Sequence, residues 1–534
     1  MMKNILKINA FLLVLLIFSG CENWLDVNED LNQPTVGRVD LLLPSAQIHM
    51  FTYLSGYQGA SIGATIGTVM HQVKASGDSY DIKPTDHSIN EAWDDVYSGL
   101  QDLEEIIRIG KADDQLKYVG VAKLLKAYNY SLLVDLWGDV PFSEATSMPA
   151  IMYPNFDKGE DIYPALFVLI EDAILDLKNA DSKNTVAMDA CDLIYGGNVD
   201  SWIKLANSLT LKMYNQIRLH SSYDASKVDA LILENNFIDS DSEFEIAYGS
   251  SKLPENRNPM YAAEYKSAES HSYLLSHWMF GTMNGDDNYI PLFKDVKDPR
   301  IPYYYYKQED GTSSDKADFN NGGFYTTRFG SHTTEVSTNF KKFTALGVYP
   351  CGGKFDDGSL IPGDFNASGA QGSGLAPMRL LSAHDILFIR AELAQVGKTT
   401  ENARDLFEKG LKAAFDKVNL VAKTVEKTPE IAIADREAYM TSILNKYDAG
   451  NELELIMTEK WIASFGNPVD SYTDYRRTGF PRLFDPNTDD TDDETYTSYS
   501  FPVSMPYANS SMNANINKPE VRNISEDKVF WDVN

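Results

Sequence analysis

The chain has 534 residues, of which 77 are acidic and 47 are basic, so its formal net charge is −30. A surface this negative repels a phosphate backbone, which excludes nucleic-acid binding over most of the protein. The 43% hydrophobic content excludes a disordered chain, and the length predicts a large core or two to three subdomains. The chain has 30 Tyr, 25 Phe and 7 Trp, more aromatic residues than a core needs, so we expect some to face a ligand.

The N-terminus resembles a bacterial lipoprotein signal. Two lysines precede a short apolar run at 12–18, which is too short to span a bilayer stably. A Ser-Gly pair then stands directly before Cys21, as in the lipobox that directs diacylglycerol to a cysteine. We therefore predict a signal peptide at 1–20, lipidation at Cys21 and a polar tether at 21–36, with no later membrane-spanning helix. An ordinary signal peptide with a coincidental cysteine is the alternative.

Apolar residues at spacings of three and four predict two helical blocks, 37–250 and 379–466. The predicted helices are 41–72 (one or two), 88–110, 116–136, 163–177, 199–219, 383–396, 400–418, 435–444 and 452–465. Gly110 is a predicted C-cap and Thr400 a predicted N-cap. Helices that follow one another through short connections indicate a mostly α fold, namely a tetratricopeptide-like array of helical hairpins.

The composition changes between the two helical blocks, at 251–378, and again in the C-terminal segment 467–534. Gly, Ser, Asn, Asp and Pro become frequent in the insert, and tyrosines cluster, most densely at Tyr303–Tyr306. Long irregular inserts on a rigid scaffold commonly carry function. We therefore predict an irregular, aromatic-rich ligand-binding insert with small β elements, and a loop-rich C-terminal segment that packs on the helices.

Motifs for catalysis and metal binding are absent or weak. The sequence has no HExxH, CxxC or Walker A motif. Ser61 lies in a literal G-x-S-x-G, but no predicted strand precedes it, so close helix packing is favoured over a nucleophile elbow. His271 and His277 give a weak hint of a metal site. The acidic run 489–494 could bind calcium, although a solvated loop is the favoured interpretation.

Two cysteines besides Cys21 are present, Cys191 and Cys351. Outside the cytoplasm they could form a disulfide, but they are far apart in sequence, and sequence alone does not give their distance. A pair of free or buried thiols is the alternative, and the sequence leaves both open.

Several motifs follow one another along the whole chain. They are WLDVN (24–28), DLWGDVPFSEA (135–145), YGG (195–197) with ANSL (206–209), DPR (298–300), AELA (391–394), EKWIA (459–463), DYRRTG (474–479) and FWD (530–532). In this order they resemble the SusD/RagB-like family of outer-membrane nutrient-binding lipoproteins from Bacteroidetes, in its SusD-like branch. The region 501–513 departs from the family pattern, because it retains only Pro506-Tyr507 of a longer motif.

These motifs have the character of fold determinants. Gly138 can adopt a positive φ at the end of a helix, and Pro141 prevents the helix from continuing. Arg476 and Arg477 stand in an acidic protein, so we expect them to be paired internally.

The resemblance implies a cell-surface, lipid-anchored outer-membrane protein that binds an oligosaccharide and delivers it to a TonB-dependent, SusC-like transporter. It implies no catalysis and no cofactor. A peptide or another nutrient is the alternative ligand within the family. A glycoside hydrolase or esterase and a tetratricopeptide scaffold without a small ligand are the alternatives from other classes.

A sugar site needs flat aromatic faces, together with amides and carboxylates that hydrogen-bond to hydroxyl groups. The insert and the loop after the first helices supply both kinds of residue. The predicted ligand contacts are Tyr80, Asp81, Trp278, Tyr289, Tyr303, Tyr304, Tyr325 and Asn288. The alternative is that half of these aromatic rings pack within loops, and that Tyr303–Tyr306 form a strand that exposes only every second ring.

Overall fold

The computed structural model describes residues 37–54, 56–57, 61–74, 80–147, 150–265, 274–286, 289–307, 319–328, 343–359, 372–426, 428–484 and 500–533. The predicted signal peptide, the tether, Cys21, His271, Asn288 and the acidic run 489–494 lie outside these ranges. Within the described residues, no helix combines the length and the apolar character needed to cross a bilayer.

Helices dominate the described part of the chain. The first block contains α1 (Val39–Leu54), α2 (Ile62–Val69), α3 (His87–Ala112), α4 (Leu116–Trp137), α5 (Gly159–Lys178), α6 (Val199–Gln216) and α7 (Ala225–Glu234). The insert carries the short helices α8 (Pro259–Glu264), α9 (His277–Asn284), α10 (Ile301–Tyr304) and α11 (Val348–Cys351). The remaining helices are α12 (Ala383–Gln395), α13 (Ala403–Glu426), α14 (Ile433–Tyr447), α15 (Glu452–Ala463), α16 (Val469–Thr478) and α17 (Asn509–Ala514).

The strands of the described residues are short and form antiparallel pairs. They are β1 (Val73–Lys74) with β3 (Leu274–Leu275), β2 (Phe244–Ile246) with β8 (Met378–Leu381), β4 (Tyr305–Tyr306) with β7 (Ala345–Leu346), and β5 (Phe319–Asn321) with β6 (Phe324–Thr326). The β1–β3 pair joins the first helical block to the insert. The β2–β8 pair joins the end of that block to the start of the second.

The most extensive packing is between α1 and α3, α4 and α5, and α12 and α13. In each of these three pairs, the second helix follows the first closely in the chain. The predicted array of helical hairpins with small β elements is therefore confirmed. One continuous hydrophobic core runs from Val39 to Trp531 and takes residues from both helical blocks and from the insert.

Two predicted helix caps are wrong. Helix α3 continues through Gly110 to Ala112, and Asp113 caps it through a hydrogen bond from its N–H to Ile109 O. Gly110 therefore lies inside the helix. A glycine is needed there because Val119 of α4 approaches so closely that a β-carbon on residue 110 would lie 2.7 Å from Val119 Cγ2. Helix α13 begins at Ala403, after Thr400, and the Asn402 side chain accepts a hydrogen bond from Asp405 N at 3.2 Å.

The DLWGDVPFSEA motif (135–145) joins the end of α4 to the C-terminal segment. Gly138 follows the helix with φ +77°, as predicted, and its N–H donates to Val134 O. The Asp135 carboxylate accepts hydrogen bonds from Tyr163 OH at 2.5 Å and from Trp531 Nε1 at 2.9 Å. The indole of Trp137 donates to Pro506 O at 2.8 Å. The motifs at 135–145 and 530–532 therefore form one structural unit.

The remaining charged motif residues are also buried. Arg300 of the DPR motif has no exposed surface and pairs with Asp298 at 2.6 Å and with Glu459 at 2.8 Å. Arg477 is paired internally, as expected, with Glu392 at 2.8 Å and with Asp474 at 2.6 Å. Arg476 donates to the carbonyl oxygens of Val503, at 2.8 Å, and Asp135, at 2.5 Å.

Candidate functional site

An aromatic cluster surrounds His71, the second residue after α2. The Tyr80 ring stacks on the imidazole with centroids 6.1 Å apart, and Tyr80 OH lies 3.0 Å from His71 Nε2. The Trp278 ring meets the imidazole edge-on at 5.7 Å. Phe501 lies edge-on to Tyr80 at 5.5 Å. We call these four residues, with Tyr289, Arg482 and Phe484, the His71 cluster.

The β1–β3 pair positions the base of the His71 cluster. Val73 pairs with Leu275, so the chain just after α2 lies beside the chain that enters α9. Ser276 is the N-cap of α9, and its side chain accepts a hydrogen bond from Trp278 N at 3.2 Å. Ser276 N in turn donates to Gln72 O at 3.2 Å. These contacts place Trp278, in the first turn of α9, against His71.

The chain that follows α16 completes the cluster. Trp278 Nε1 donates to Arg482 O at 3.0 Å, and the Arg482 guanidinium lies 5.3 Å from the centre of the Trp278 ring. Arg482 Nη1 donates to Tyr289 O at 2.6 Å. The Tyr289 and Phe484 rings lie edge-on to Trp278, at 5.2 Å and 5.9 Å. Segments that are far apart in the sequence therefore meet at one indole.

The base of the cluster is uncharged at neutral pH. Burial lowers the pKa of His71 to about 3, so its imidazole is neutral. Because Phe484 N donates to His71 Nδ1 at 3.4 Å, we assign the ring proton to Nε2, which then donates to Tyr80 OH. Burial also raises the pKa of the Tyr289 hydroxyl. Such groups suit binding better than proton transfer near neutral pH.

The His71 cluster has a buried base and a partly exposed rim. Tyr80 and Trp278 are only 5% and 4% exposed. Tyr289, Phe484 and Arg482 are half-buried and form the rim. The rim thus offers two aromatic rings and one guanidinium on a base held by hydrogen bonds. Aromatic rings stack on apolar faces of a ligand, and a guanidinium donates in a fixed geometry, so the arrangement can orient a polar ligand that has flat apolar faces.

Three of the predicted ligand contacts, Tyr80, Trp278 and Tyr289, meet in the His71 cluster. Asp81 follows Tyr80 directly, and its carboxylate pairs with Lys83 Nζ at 2.6 Å. Asn288 immediately precedes Tyr289 but lies outside the described residues.

The other predicted contacts lie elsewhere. The Tyr304 ring has no exposed surface and stacks between Tyr349, at 4.9 Å, and Phe465, at 5.3 Å. Tyr303 is buried and donates its hydroxyl to Pro429 O at 2.6 Å. Tyr325 packs in a separate small core with Leu274 and Phe343. These rings support the fold in this structure, and their role as ligand contacts stays a prediction.

The run Tyr303–Tyr306 exposes no alternate rings, because all four side chains are buried. The run changes from the last turn of α10 to strand β4 at its midpoint, and the core surrounds both.

The sequence reasoning missed four residues of the site: His71, Arg482, Phe484 and Phe501. No motif contains them, and each belongs to the site only because the fold brings it to Trp278 or Tyr80. A histidine among eight scattered ones and an arginine outside any motif carry no signal of their own.

Features associated with catalysis have structural roles here. Ser61 is the N-cap of α2: its hydroxyl accepts from Ala64 N at 3.3 Å and donates to Gly56 O at 2.9 Å.

Cys191 and Cys351 are both free and buried, so of the two alternatives for this pair the structure has free thiols and no disulfide between them. Across the described part of the chain, no group of three or more His, Cys, Asp and Glu side chains could hold a metal ion.

Comparisons with known structures reveal close similarity of fold. A chitin-binding protein is 22% identical, with a TM-score of 0.69 over 93% of this chain and 100% of that chain. A SusD/RagB family protein from Bacteroides thetaiotaomicron is 20% identical, with a TM-score of 0.69 over 93% and 99% of the two chains. A chitin-binding SusD homologue from Flavobacterium johnsoniae is 19% identical, with a TM-score of 0.66 over 92% and 99%. At these identities the likeness shows the fold alone.

A family model matches the sequence at residues 31–503, and its description is SusD-like, starch-binding and associating with the outer membrane. No curated protein sequence matches the chain. The family is one of binding proteins, so the expectation of no catalysis is confirmed by membership of that family. Because the match spans most of the sequence and the fold agrees with it, this chain belongs to the SusD-like family.

Proposed function

We propose that this protein binds an oligosaccharide at the rim of the His71 cluster. The observation that carries the proposal is the arrangement of Tyr289, Phe484 and the Arg482 guanidinium around the buried indole of Trp278. The aromatic rings would stack on the apolar faces of pyranose rings, and the guanidinium would donate to sugar oxygens. Two relatives of the same fold are chitin-binding proteins, which supports a carbohydrate as the ligand class.

Two polar residues extend the proposed site. Asp81 adjoins Tyr80, and Asn288 adjoins Tyr289. We propose that their carboxylate and amide groups contact ligand hydroxyls. Tyr303 and Tyr304 are buried in the main core and Tyr325 in a separate small one, so these three rings lie outside the proposed site.

Calorimetric titration of the purified protein with linear oligosaccharides tests the proposal. The panel should contain glucose oligomers and N-acetylglucosamine oligomers, since the family description names starch and two relatives are named for chitin. Binding without release of shorter products is expected. Absence of heat with every glycan would contradict a carbohydrate ligand, and product release would favour a glycoside hydrolase.

A peptide is the second candidate ligand, and the half-buried Arg482 is the observation that favours it. A guanidinium beside aromatic rings can pair with a peptide carboxylate in two-point geometry. A panel of short peptides with free and amidated C-termini separates the two ligand classes. Binding only to free carboxylates would favour the peptide.

We further propose that Cys21 carries the lipid anchor at the outer membrane and that the body delivers its ligand to a SusC-like, TonB-dependent transporter. The tether 21–36 would separate the anchor from α1. Metabolic labelling with palmitate should mark the wild type and not the Cys21→Ser variant. Tagged protein from its own host should co-purify with a large β-barrel receptor, and failure of that co-purification would contradict the partnership.

A further inference from the structure

A second pair of partly exposed aromatic rings lies at the Tyr80 side of the His71 cluster. Phe501 of the cluster and Tyr475 of α16 have their ring centroids 4.5 Å apart. Both residues are half-buried, as Tyr289 and Phe484 are at the rim. We call Phe501 and Tyr475 the Phe501 pair. The cluster therefore presents aromatic surface at two places.

The imidazole of His71 separates the Phe501 pair from the rim. Its Nδ1 accepts a hydrogen bond at 3.4 Å from the N–H of Phe484, which belongs to the rim. Its Nε2 lies 3.0 Å from Tyr80 OH, and the Tyr80 ring meets Phe501 edge-on at 5.5 Å. Because the two nitrogens of an imidazole point in different directions, the rim and the Phe501 pair lie on different sides of His71.

Each side also has a charged group that can hydrogen-bond to sugar hydroxyls. At the rim this group is the Arg482 guanidinium. Beside Tyr80 it is the Asp81 carboxylate, which pairs with Lys83 and whose side chain is 22% exposed. A carboxylate accepts hydrogen bonds from hydroxyls, and the ammonium of Lys83 donates to their oxygens. Both sides thus combine aromatic rings with polar groups, as a carbohydrate subsite requires.

We propose, on the basis of the function proposed above, that the Phe501 pair is a second subsite of the same glycan site and that the ligand is a chain of several sugars. One end of the chain would lie on the rim and the other on the Phe501 pair. The units between would cross the buried base, where ring centroids are 5.7 Å apart from Trp278 to His71 and 6.1 Å apart from His71 to Tyr80.

A ligand that reaches both subsites should bind more tightly than one that reaches only one. A pyranose ring is about as wide as one aromatic side chain, so one or two sugars cover a single side of the cluster. When the sugars are linked, contact with the second subsite becomes an intramolecular event and adds to the affinity. Affinity should therefore rise with chain length until both sides are covered.

Calorimetry with the glucose and N-acetylglucosamine series, from disaccharide to hexasaccharide, tests the proposal. The length gain is the ratio of the affinity for the hexasaccharide to the affinity for the disaccharide in the series that binds. It should be at least tenfold in the wild type and less than threefold in Phe501→Ala and in Tyr475→Ala. Disaccharide affinity should stay within twofold of the wild type in both variants, because the rim is intact.

Two control variants should keep the full length gain. Phe501→Tyr retains an aromatic ring at the second subsite, and Tyr153→Ala changes an exposed ring outside the cluster. If Phe501→Ala disturbs the base, as loss of disaccharide binding would show, Tyr475→Ala decides.

Two results would overturn the second subsite while leaving the glycan site in place. They are a length gain below threefold in the wild type and a length gain that Tyr475→Ala leaves unchanged. Absence of heat with every chain length would contradict the proposed function itself and the second subsite with it. Failure of the second subsite alone is thus distinguishable from failure of the proposed function.

Discussion

Arg477 and Glu392 form a two-point ion pair in the interior, with Nε 3.0 Å from Oε1 and Nη2 2.8 Å from Oε2. The two side chains are 2% and 0% exposed. The same carboxylate pairs with Arg218 at 3.2 Å and accepts from Asn215 Nδ2 at 2.8 Å. One glutamate of the AELA motif thus joins the DYRRTG motif of α16 to the end of α6.

Removing one partner of this buried pair should be far more costly than removing a partner of an exposed pair. Arg477→Ala leaves Glu392 with one arginine fewer and should lower the free energy of unfolding by about 3–5 kcal/mol. Arg404→Ala breaks a pair with Asp448 whose side chains are 39% and 47% exposed, and should cost about 0–1 kcal/mol. Urea denaturation of both variants measures the difference. Equal losses would mean that the buried pair does not organise the fold.

The stability of the protein should depend on pH through its buried histidines. Burial lowers the pKa of His384 to about 3, whereas about 6.5 is expected in the unfolded chain. Between these values the unfolded chain binds more protons, so the stability linked to neutral His384 is fully present above about pH 6.5 and is lost as pH falls towards about 3. From about pH 7 to pH 5, the wild type should lose about 2 kcal/mol more than His384→Gln.

Urea denaturation of the wild type and His384→Gln across that range measures the difference. Asp135 acts in the opposite sense, because burial raises its pKa to about 6 and its protonation then favours the folded state as pH falls through that value. Asp135 is present in both proteins, so its contribution cancels when the two curves are subtracted. Parallel curves would show that His384 does not titrate as its burial requires.

Cys191 and Cys351 should resist thiol reagents in the folded protein. Both are free and buried, and burial raises the pKa of the Cys191 thiol, which lowers its reactivity further. In Cys21→Ser without reductant, a colorimetric disulfide reagent should react with neither thiol in buffer and with both in urea. Failure to detect thiols in urea would reveal a disulfide and contradict the structure.

The helical part of the fold could be predicted from sequence because its signals are local. Apolar spacing located most of the long helices to within a few residues, but it missed α7, α16 and the last turns of α13. Cap positions were less certain: Gly110 has the residue type of a C-cap but serves the close approach of α4, and Asn402 rather than Thr400 caps α13. A residue type does not reveal which tertiary contact requires it.

The candidate site could be predicted only in part, because its residues meet through tertiary contacts. Trp278 and Tyr289 lie near each other in sequence and were identifiable as aromatic residues among amides and acids. Tyr304 has the same composition around it, yet its ring lies between Tyr349 and Phe465 in the core. His71 and Arg482 join the site through hydrogen bonds that no local pattern encodes.

The most direct test of the account is calorimetric titration of the wild type, Tyr289→Ala and Tyr153→Ala with the oligosaccharide that the wild type binds best. Tyr289 is half-buried at the rim of the His71 cluster, and Tyr153 is 39% exposed outside it. If the ligand lies at the rim of the His71 cluster, Tyr289→Ala, still folded by its thermal midpoint, should bind at least tenfold more weakly, whereas Tyr153→Ala should bind as the wild type does. Unchanged affinity in Tyr289→Ala would contradict the placement of the ligand at the His71 cluster.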